Sequence, residues 1–220
     1  MIGVFDSGAG GLLALTHLRK LCPNADLCFY ADRENAPYGT KSEEELVFLV
    51  EKDVLRLKNA GAEKILMACC TASTVWHLLK NEHKEICCPI ISPTASAALI
   101  ATKNKKIGVI ATERTVKTKC FSKAIKNLDK TAEITELAAQ PLVKMAENGI
   151  FEEEEAKRIL DPLVNSEIDT LLLGCTHFPI FENEIAKILP GVKLISSAYE
   201  GAKYISTKTR NEGRGTTRFL

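Results

Sequence analysis

Short apolar runs alternate with longer amphipathic segments along the whole chain. Apolar runs of about four to eight residues are typical of buried strands, and apolar residues at helical spacing predict helices that pack on one face. The predicted strands are residues 2–5, 27–31, 64–69, 89–92, 106–111, 133–138, 169–173 and 192–195. The predicted helices are residues 11–21, 42–60, 74–81, 115–128, 152–164 and 181–189, and Ser42 with Glu45 predicts a capping box for the second. This alternation predicts an α/β fold with mostly parallel sheets flanked by helices.

Two of the predicted strands end in similar sequences. Residues 65–71 and 171–177 both begin with three apolar residues, a small residue and a cysteine. The two segments lie about half a chain apart. The pattern predicts two similar α/β domains, each of which contributes one cysteine to an active site in a shared cleft. The polar and basic tail, residues 207–218, is predicted to be a surface or frayed segment.

The composition indicates a globular protein that acts on a small molecule. The chain has 220 residues, is 45% hydrophobic and 26% charged, and carries a formal net charge of +1. This near-neutral balance gives no electrostatic reason to expect nucleic acid or an anionic membrane as a partner. No apolar stretch reaches the roughly 18 residues that a membrane-spanning helix needs. The oligomeric state is not defined by the sequence, and a homodimer is left open.

Eight cysteines raise the question of disulfides and metals. The chain opens directly on an apolar run without the features of a signal peptide, so we expect a cytoplasmic protein with free thiols. No C-x-x-C pair occurs, and the four histidines form no spaced metal-binding pair with the cysteines. We therefore expect neither a metal nor a disulfide-exchange motif.

Polar residues and glycines follow the first predicted strand directly. Residues 6–11 read Asp-Ser-Gly-Ala-Gly-Gly, and ligands of open parallel sheets bind at the carboxyl ends of strands. A dinucleotide site is disfavoured because Leu13 stands where that motif needs its third glycine. We interpret the segment as a turn whose backbone N–H groups receive a carboxylate, with a plain tight turn as the alternative. Asp6 is placed for proton transfer or for binding an ammonium group, whereas Ser7 alone is best interpreted as an N-cap.

Cys69 and Cys175 differ from the other cysteines because each ends a predicted strand beside a threonine and a helix start. A helix N-terminus lowers the pKa of a thiol, so we expect reactive thiolates here. A single such cysteine would suggest a nucleophile, but a matched pair suggests that one thiolate removes a proton and the other thiol delivers one from the opposite face. This chemistry suits inversion at the α-carbon of an amino acid, with donors around its carboxylate. Those donors are expected to be Ser7, Thr71 and Thr176.

Other enzymes of this chemistry use pyridoxal, but no lysine sits at a comparable strand end for a Schiff base. We therefore expect no cofactor. His177 follows Cys175 closely and can tune or exchange the thiol proton, with a surface or capping histidine as the alternative. Glu147 taken alone would be interpreted as a solvated helix acid.

With these residues assembled, the sequence resembles the glutamate racemases of the aspartate/glutamate racemase superfamily. The matches are FDSGAGGL at 5–12, ADRENAPYGTKS at 31–42, ACCTA at 68–72 and GCTHFP at 174–179, with weaker ones at 107–112 and 141–147. The resemblance implies cofactor-independent interconversion of L- and D-glutamate that supplies D-glutamate for peptidoglycan. It implies catalytic roles for Cys69, Cys175, Asp6, His177 and Glu147, and a substrate pocket formed by Ser7, Pro37, Tyr38, Gly39, Cys70, Thr71 and Thr176. It also implies an N-terminal domain of residues 1–94 with 204–220, and a second domain of residues 95–203.

Three departures from the family pattern bear on function. Cys70 replaces an asparagine whose amide helps to bind substrate, and a thiol is a poor hydrogen-bonding group by comparison. Ser196 stands where the family commonly has aspartate. The chain stops at Leu220, where family members usually continue, and we expect a missing final segment to weaken the first domain.

Three functions are compatible with the sequence. The first is an active glutamate racemase, and the second is a racemase of aspartate or another amino acid in the same superfamily. The third is a catalytically silent paralogue that only binds a ligand or a protein. Retention of both cysteines, Asp6 and His177 argues against the third, since a binding protein has no evident need for two opposed thiols.

Overall fold

The computed structural model describes residues 1–220, which form nine strands and eleven α-helices. The strands are β1 (Ile2–Asp6), β2 (Leu27–Ala31), β3 (Lys64–Met67), β4 (Cys87–Pro89), β5 (Lys106–Ala111), β6 (Glu133–Ala138), β7 (Thr170–Gly174), β8 (Lys193–Ser196) and β9 (Thr217–Phe219). The helices are α1 (Gly11–Leu21), α2 (Glu43–Asn59), α3 (Cys70–Ser73), α4 (Asn81–Ile86), α5 (Ile91–Ala101), α6 (Glu113–Thr118), α7 (Cys120–Leu128), α8 (Gln140–Asn148), α9 (Glu153–Val164), α10 (Glu182–Ile188) and α11 (Ser197–Ser206). Short 3₁₀ turns occur at Tyr38–Thr40, Trp76–Leu78 and Phe178–Phe181.

The chain divides into two compact units, Met1–Ile90 with Ala198–Leu220, and Ile91–Ser197. We call these unit 1 and unit 2. Each unit contains one sheet whose strand pairs are all parallel, so the predicted α/β class with helix-flanked parallel sheets is confirmed. The predicted domain bounds, 1–94 with 204–220 and 95–203, stay a prediction about independently folding parts.

Unit 1 contains a five-stranded sheet in the order β4-β3-β1-β2-β9. All five residues of β1 are buried, as expected for a central parallel strand covered on both faces. One face packs on α2 through buried residues such as Leu46 and Leu57. The other face packs on α1 and α11, where Leu18 and Ala202 are fully buried. Ser42 Oγ accepts a hydrogen bond from the Glu45 amide at 3.1 Å, which confirms that Ser42 caps α2.

Unit 2 contains a four-stranded sheet in the order β6-β5-β7-β8. The buried core on one side includes residues of α8, α9 and α10, with Leu142, Leu160 and Ile185 fully buried. Every residue of β7 is buried, so the strand that leads to Cys175 is central and well packed.

Three predicted elements were wrong, and for one of them the reason is a hydrogen-bond partner on another element. The strand predicted at 89–92 is instead β4, which ends at Pro89 and is followed by helix α5. The helix predicted at 74–81 is interrupted because Leu79 and Lys80 have extended ψ angles of 160° and 146°. The helix predicted at 115–128 is split by Lys119 in the left-handed conformation. There the Glu136 carboxylate accepts from the Ser122 amide at 2.9 Å and thereby caps a new helix start.

The tail lies on the surface, as predicted, but it is not frayed, because its last part is strand β9, which is paired with β2. Arg19 holds this strand by donating to Thr216 O at 2.6 Å and to Thr217 Oγ1 at 2.8 Å. Asp26 accepts from the Arg214 and Thr216 amides at 3.2 and 3.0 Å. The polar sequence of the tail does not predict this strand, because the strand is held by hydrogen bonds to the distant residues Arg19 and Asp26.

Candidate active site

In unit 1, the turn after β1 brings Asp6 and Ser7 to the carboxyl edge of the sheet. The Asp6 carboxylate is fully buried and accepts a hydrogen bond from the Gly8 amide at 2.8 Å. Gly11 makes this arrangement possible, because a Cβ at residue 11 would lie 2.4 Å from Asp6 Cβ. The turn therefore requires a glycine for close approach to Asp6.

Ser7 does not cap the helix, so its interpretation as an N-cap was wrong. Helix α1 begins at Gly11, its N-cap is Gly10, and no side chain caps it. The intervening turn delays the helix start and leaves the Ser7 hydroxyl 3.2 Å from the Cys69 thiol. This contact joins two of the predicted site residues across neighbouring strands.

Cys69 lies two residues after β3 and is itself the N-cap of α3, with Sγ 3.4 Å from the Ala72 amide. The pKa of this thiol is raised to about 11, first by burial and then by the negative charge of Asp6. Hydrogen bonds from Ser7 and Ala72 oppose this rise. The expectation that the helix start lowers the thiol pKa was therefore wrong for Cys69, because burial and a neighbouring carboxylate outweigh one four-residue helix.

Cys70 and Thr71 form the first turn of α3 and are both buried. The Thr71 carbonyl accepts from Thr74 Oγ1 at 2.6 Å, which stabilises the short helix. The thiol of Cys70 thus occupies an enclosed position next to Cys69, where an amide would have had more capacity for hydrogen bonds.

The loop after β2 contains the predicted Pro37, Tyr38 and Gly39. The Tyr38 side chain is only 1% exposed, and its hydroxyl lies 2.7 Å from Oδ2 of both Asp32 and Asp53. Pro37 and Gly39 on either side remain exposed or half-buried. The Tyr38 side chain thus holds the loop to the interior of unit 1, and only the backbone of Tyr38 is available to a ligand.

In unit 2, Cys175 directly follows β7 and lies near His177 and Glu147. Cys175 Sγ is 3.4 Å from His177 Nδ1, and His177 Nε2 is 4.0 Å from Glu147 Oε1. Burial lowers the pKa of His177, and the negative charge of Glu147 partly opposes this effect. The buried Thr176 lies between the two residues in sequence. The structure thus forms a thiol–imidazole–carboxylate series in unit 2.

Gly174 is needed at the end of β7 for the same reason as Gly11 in unit 1. A Cβ at this position would lie 2.8 Å from Phe121 Cε2 and 2.9 Å from the Ile110 carbonyl oxygen. Any side chain here would displace the strand end that carries Cys175.

Sequence reasoning did not select Thr112 and Thr115 as site candidates. Ala111, the last residue of β5, is paired with Gly174, so Thr112 follows the neighbouring strand at the same edge of the sheet as Cys175. Thr112 and Thr115 are buried, and their hydroxyl oxygens are 2.9 Å apart. The sequence feature that could have identified Thr112 is its position directly after an apolar strand, which it shares with Cys175.

All eight cysteines are free thiols, and no group of three or more His, Cys, Asp or Glu side chains could hold a metal ion. None of the helices combines the length and apolarity needed to span a bilayer.

The fold and the two strand ends define the class of protein. It is an α/β protein with two parallel sheets, and in each sheet one central strand is followed by a cysteine beside ionisable groups. The chain belongs to the Asp/Glu/Hydantoin racemase family, whose family model matches residues 16–205. The resemblance to this superfamily is therefore confirmed, and the chain is an amino-acid racemase family member.

Several relatives and solved structures to which the chain is similar are glutamate racemases. The chain is 35% identical over 221 residues to the glutamate racemase of Aquifex aeolicus, with 98% of this chain and 85% of the relative covered. It is similar to the solved structure of the Bacillus anthracis glutamate racemase isoform RacE1, with a TM-score of 0.90, 34% identity, and coverage of 100% of this chain and 86% of that one. The Francisella tularensis glutamate racemase, solved in complex with D-glutamate, has a TM-score of 0.85 and 30% identity, with coverage of 99% and 86%.

Proposed function

We propose that this protein interconverts L-glutamate and D-glutamate without a cofactor, by a two-base proton transfer at the α-carbon. One thiolate takes the Cα proton from one face, and the thiol on the other face donates its proton to the resulting carbanion. After one turnover the protonation states of the two sulfurs are exchanged, so the reverse reaction regenerates the starting form. The single observation that carries the proposal is the matched pair of cysteines, each at the end of a central parallel strand beside ionisable groups.

Cys69 is proposed as one of the two bases, with Asp6 and Ser7 as its assistants. A thiol with a raised pKa is a poor acid at rest, but its thiolate is a correspondingly strong base. The ammonium group of a bound amino acid would favour the thiolate, because an opposite charge nearby stabilises the ionised form. The Ser7 hydroxyl, 3.2 Å from the sulfur, can donate to that thiolate.

Cys175 is proposed as the other base, assisted by His177 and Glu147. Since burial lowers the pKa of His177, the neutral imidazole is favoured near neutral pH and can accept the thiol proton. The Glu147 carboxylate would then stabilise the imidazolium, at a present separation of 4.0 Å from Nε2.

The substrate carboxylates need hydrogen-bond donors, which we assign to Ser7, Thr71 and Thr176 with backbone groups of residues 37–39. Stabilisation by such donors is essential because the Cα proton is very weakly acidic. In the cell, the reaction would supply D-glutamate for peptidoglycan, and we place it in the cytoplasm.

Cys70 supports a second candidate, a racemase of aspartate or another amino acid. The buried thiol replaces an amide next to the proposed base, and this changes the groups that could recognise a side-chain carboxylate.

The test is incubation of reduced protein with L-glutamate and, separately, D-glutamate in D₂O. Circular dichroism follows inversion, and NMR follows replacement of the Cα proton by deuterium. We expect both signals from the unmodified protein and loss of racemisation in Cys69→Ala and in Cys175→Ala. The matched control is Cys120→Ala, which removes a partly exposed thiol on α7 and should leave turnover unchanged.

Each alternative outcome has a defined meaning. Exchange without inversion would refute the two-base reaction, because only one thiol would then be competent. Turnover of aspartate but not glutamate would favour the second candidate. Ligand-induced stabilisation without any exchange would indicate a protein that only binds amino acids.

A further inference from the structure

A buried chain of hydrogen bonds connects the loop after β2 to helix α2. Tyr38 Oη lies 2.7 Å from Asp32 Oδ2 and 2.7 Å from Asp53 Oδ2. All three residues are 1% exposed. Two acidic side chains therefore share one phenol in the interior of unit 1.

The number of protons shared by Asp32, Tyr38 and Asp53 decides the charge of this hydrogen-bonded group. A phenol has one proton and can donate only one hydrogen bond, whereas ionised carboxylates only accept. Two short oxygen–oxygen contacts therefore need a second proton, which one of the carboxyl groups must carry. A proton on Asp53 would let its carboxyl donate to Tyr38, which then donates to Asp32.

The other partners of the two acids assign this proton to Asp53. Asn35 Nδ2 donates to both carboxylate oxygens of Asp32, at 2.9 and 3.0 Å, and Tyr30 Oη lies 3.4 Å from the same group. Donors of this kind favour a charged carboxylate. By contrast, Asp53 Oδ1 is buried and has no hydrogen-bond partner, which disfavours a charge at that residue.

The electrostatic surroundings agree with this assignment. Burial raises the pKa of Asp53 to about 7, with a further rise from the charge of Asp32. A hydrogen bond donated by Tyr38 to Asp53 would lower this pKa, but in the assigned arrangement Tyr38 donates to Asp32 instead. Burial and both acids also raise the pKa of Tyr38, so the phenol keeps its proton. The titratable and charged groups around Asp53 are Tyr38, Asp32 and Tyr30 from the loop and β2, and Lys52 and Arg56 from α2 itself.

We propose that protonated Asp53 is a positioning residue that holds segment 32–40 in its binding conformation, and that loss of its proton loosens this segment and weakens substrate binding as the pH rises. The kinetic part of this inference rests on the proposed function, because residues 37–39 are assigned to the substrate pocket there. Loss of the proton would leave two carboxylates facing one phenol, so one of the two short contacts would lose its donor.

The segment depends strongly on this anchor. Its other internal contacts are few, among them Thr40 Oγ1 to the Pro37 carbonyl at 3.2 Å and the Lys41 amide to the Tyr38 carbonyl at 3.3 Å. Tyr38 is the one fully buried side chain between Pro37 and Thr40. A change at Asp53 would therefore act on the loop through Tyr38 without touching the ligand.

The decisive variant is Asp53→Asn, because an amide can donate to Tyr38 Oη at every pH. We expect KM for glutamate in the unmodified protein to rise roughly five-fold or more as the pH passes the Asp53 pKa of about 7, with little change in kcat. In Asp53→Asn, KM should vary less with pH across the same range. Asp53→Leu should raise KM at every pH, and Glu44→Gln, an exposed acid on the same helix, is the matched control that should follow the unmodified protein.

Two further measurements test the proton and the loop without using turnover. Infrared spectroscopy should detect a protonated carboxyl band that titrates near neutrality and is lost in Asp53→Asn. Hydrogen exchange of segment 32–40 should be faster in the unmodified protein than in Asp53→Asn at alkaline pH, and equal at acidic pH. Absence of the band, or equal exchange at both pH values, would overturn the proposal even if the protein had no racemase activity. Parallel KM profiles for both proteins would overturn its kinetic part.

Discussion

Gly11→Ala should disrupt the turn after β1, because the new side chain would clash with Asp6. The new Cβ would lie 2.4 Å from Asp6 Cβ and 3.1 Å from Phe29 Cε2. Carbon atoms normally approach to about 3.5–4.0 Å, so Asp6 or the start of α1 must move by roughly 1 Å. Asp6 and Gly11 are both buried, and rotation of the Asp6 side chain cannot relieve the contact because it does not move Cβ.

The expected effects on stability and on activity differ in size. Overpacking of this kind lowers the free energy of unfolding by about 1–3 kcal/mol, which leaves a typical domain folded. A displacement of roughly 1 Å at a catalytic group can reduce turnover about 100-fold. We therefore expect Gly11→Ala to remain folded but to lose most of the racemisation and deuterium exchange per folded molecule.

Urea unfolding measures the stability change through fluorescence of Trp76, the single tryptophan, which lies in the same unit. The matched control is Gly61→Ala, whose Cβ would meet no atom within 4 Å but would be strained by a φ of +99°. This control should lose about 1–3 kcal/mol of stability and retain its turnover. Full activity in Gly11→Ala, or equal loss of activity in both variants, would refute the argument from the Asp6 contact.

Three other substitutions test separate parts of the structure. Arg19→Ala should lose the hydrogen bonds to Thr216 and Thr217 at the start of β9, together with those to the turn after α1, and lower the free energy of unfolding by about 1–2 kcal/mol. Faster proteolysis of the tail would show this, and unchanged protection of the tail would contradict it. His177→Asn should flatten the dependence of stability on pH. The pKa of His177 in the folded protein lies below the ordinary 6.5, so the unmodified protein loses stability as the pH falls from 6.5 through the folded value. An equal slope of stability against pH in the two proteins would refute this. Cys70→Asn should strengthen the binding of glutamate by about 1–3 kcal/mol and lower its KM accordingly. An unchanged KM would exclude a role of that amide in recognition.

The continuous apolar strands were predictable because their sequence determines their environment. The structure has β2 and β5 at the predicted residues, and β1 ends only one residue later than predicted. Strand β6 also lies at the predicted residues, although its sequence mixes polar and apolar residues and none of them is buried. Each begins a repeat of strand and helix, so the parallel class followed from the order of elements alone. Elements that depend on distant partners were missed, as β9 depends on Arg19 and Asp26, and the break before α7 depends on Glu136.

The predicted site shows the same division between local and distant effects. Sequence position correctly suggested that His177 lies close to Cys175, because two residues after a strand end there is little room for another arrangement. The raised pKa of Cys69 was not predictable, since it arises from burial and from a carboxylate on the neighbouring strand. Asp53 did leave a signal: it occupies the buried face of α2 with Leu46, Leu49 and Val50, where an acid requires a partner.

The division of unit 1 into two chain segments has a consequence for biosynthesis. Residues 1–90 leave the ribosome first, but α11 and β9, which complete their core and their sheet, are synthesised only after the whole of unit 2. During that interval the outer edge of β2 has unpaired backbone groups, and such edges invite pairing with other chains. We therefore expect the nascent chain to need protection, for instance by a chaperone, for as long as unit 2 is being translated, and slow codons within residues 91–197 should reduce the yield of native protein.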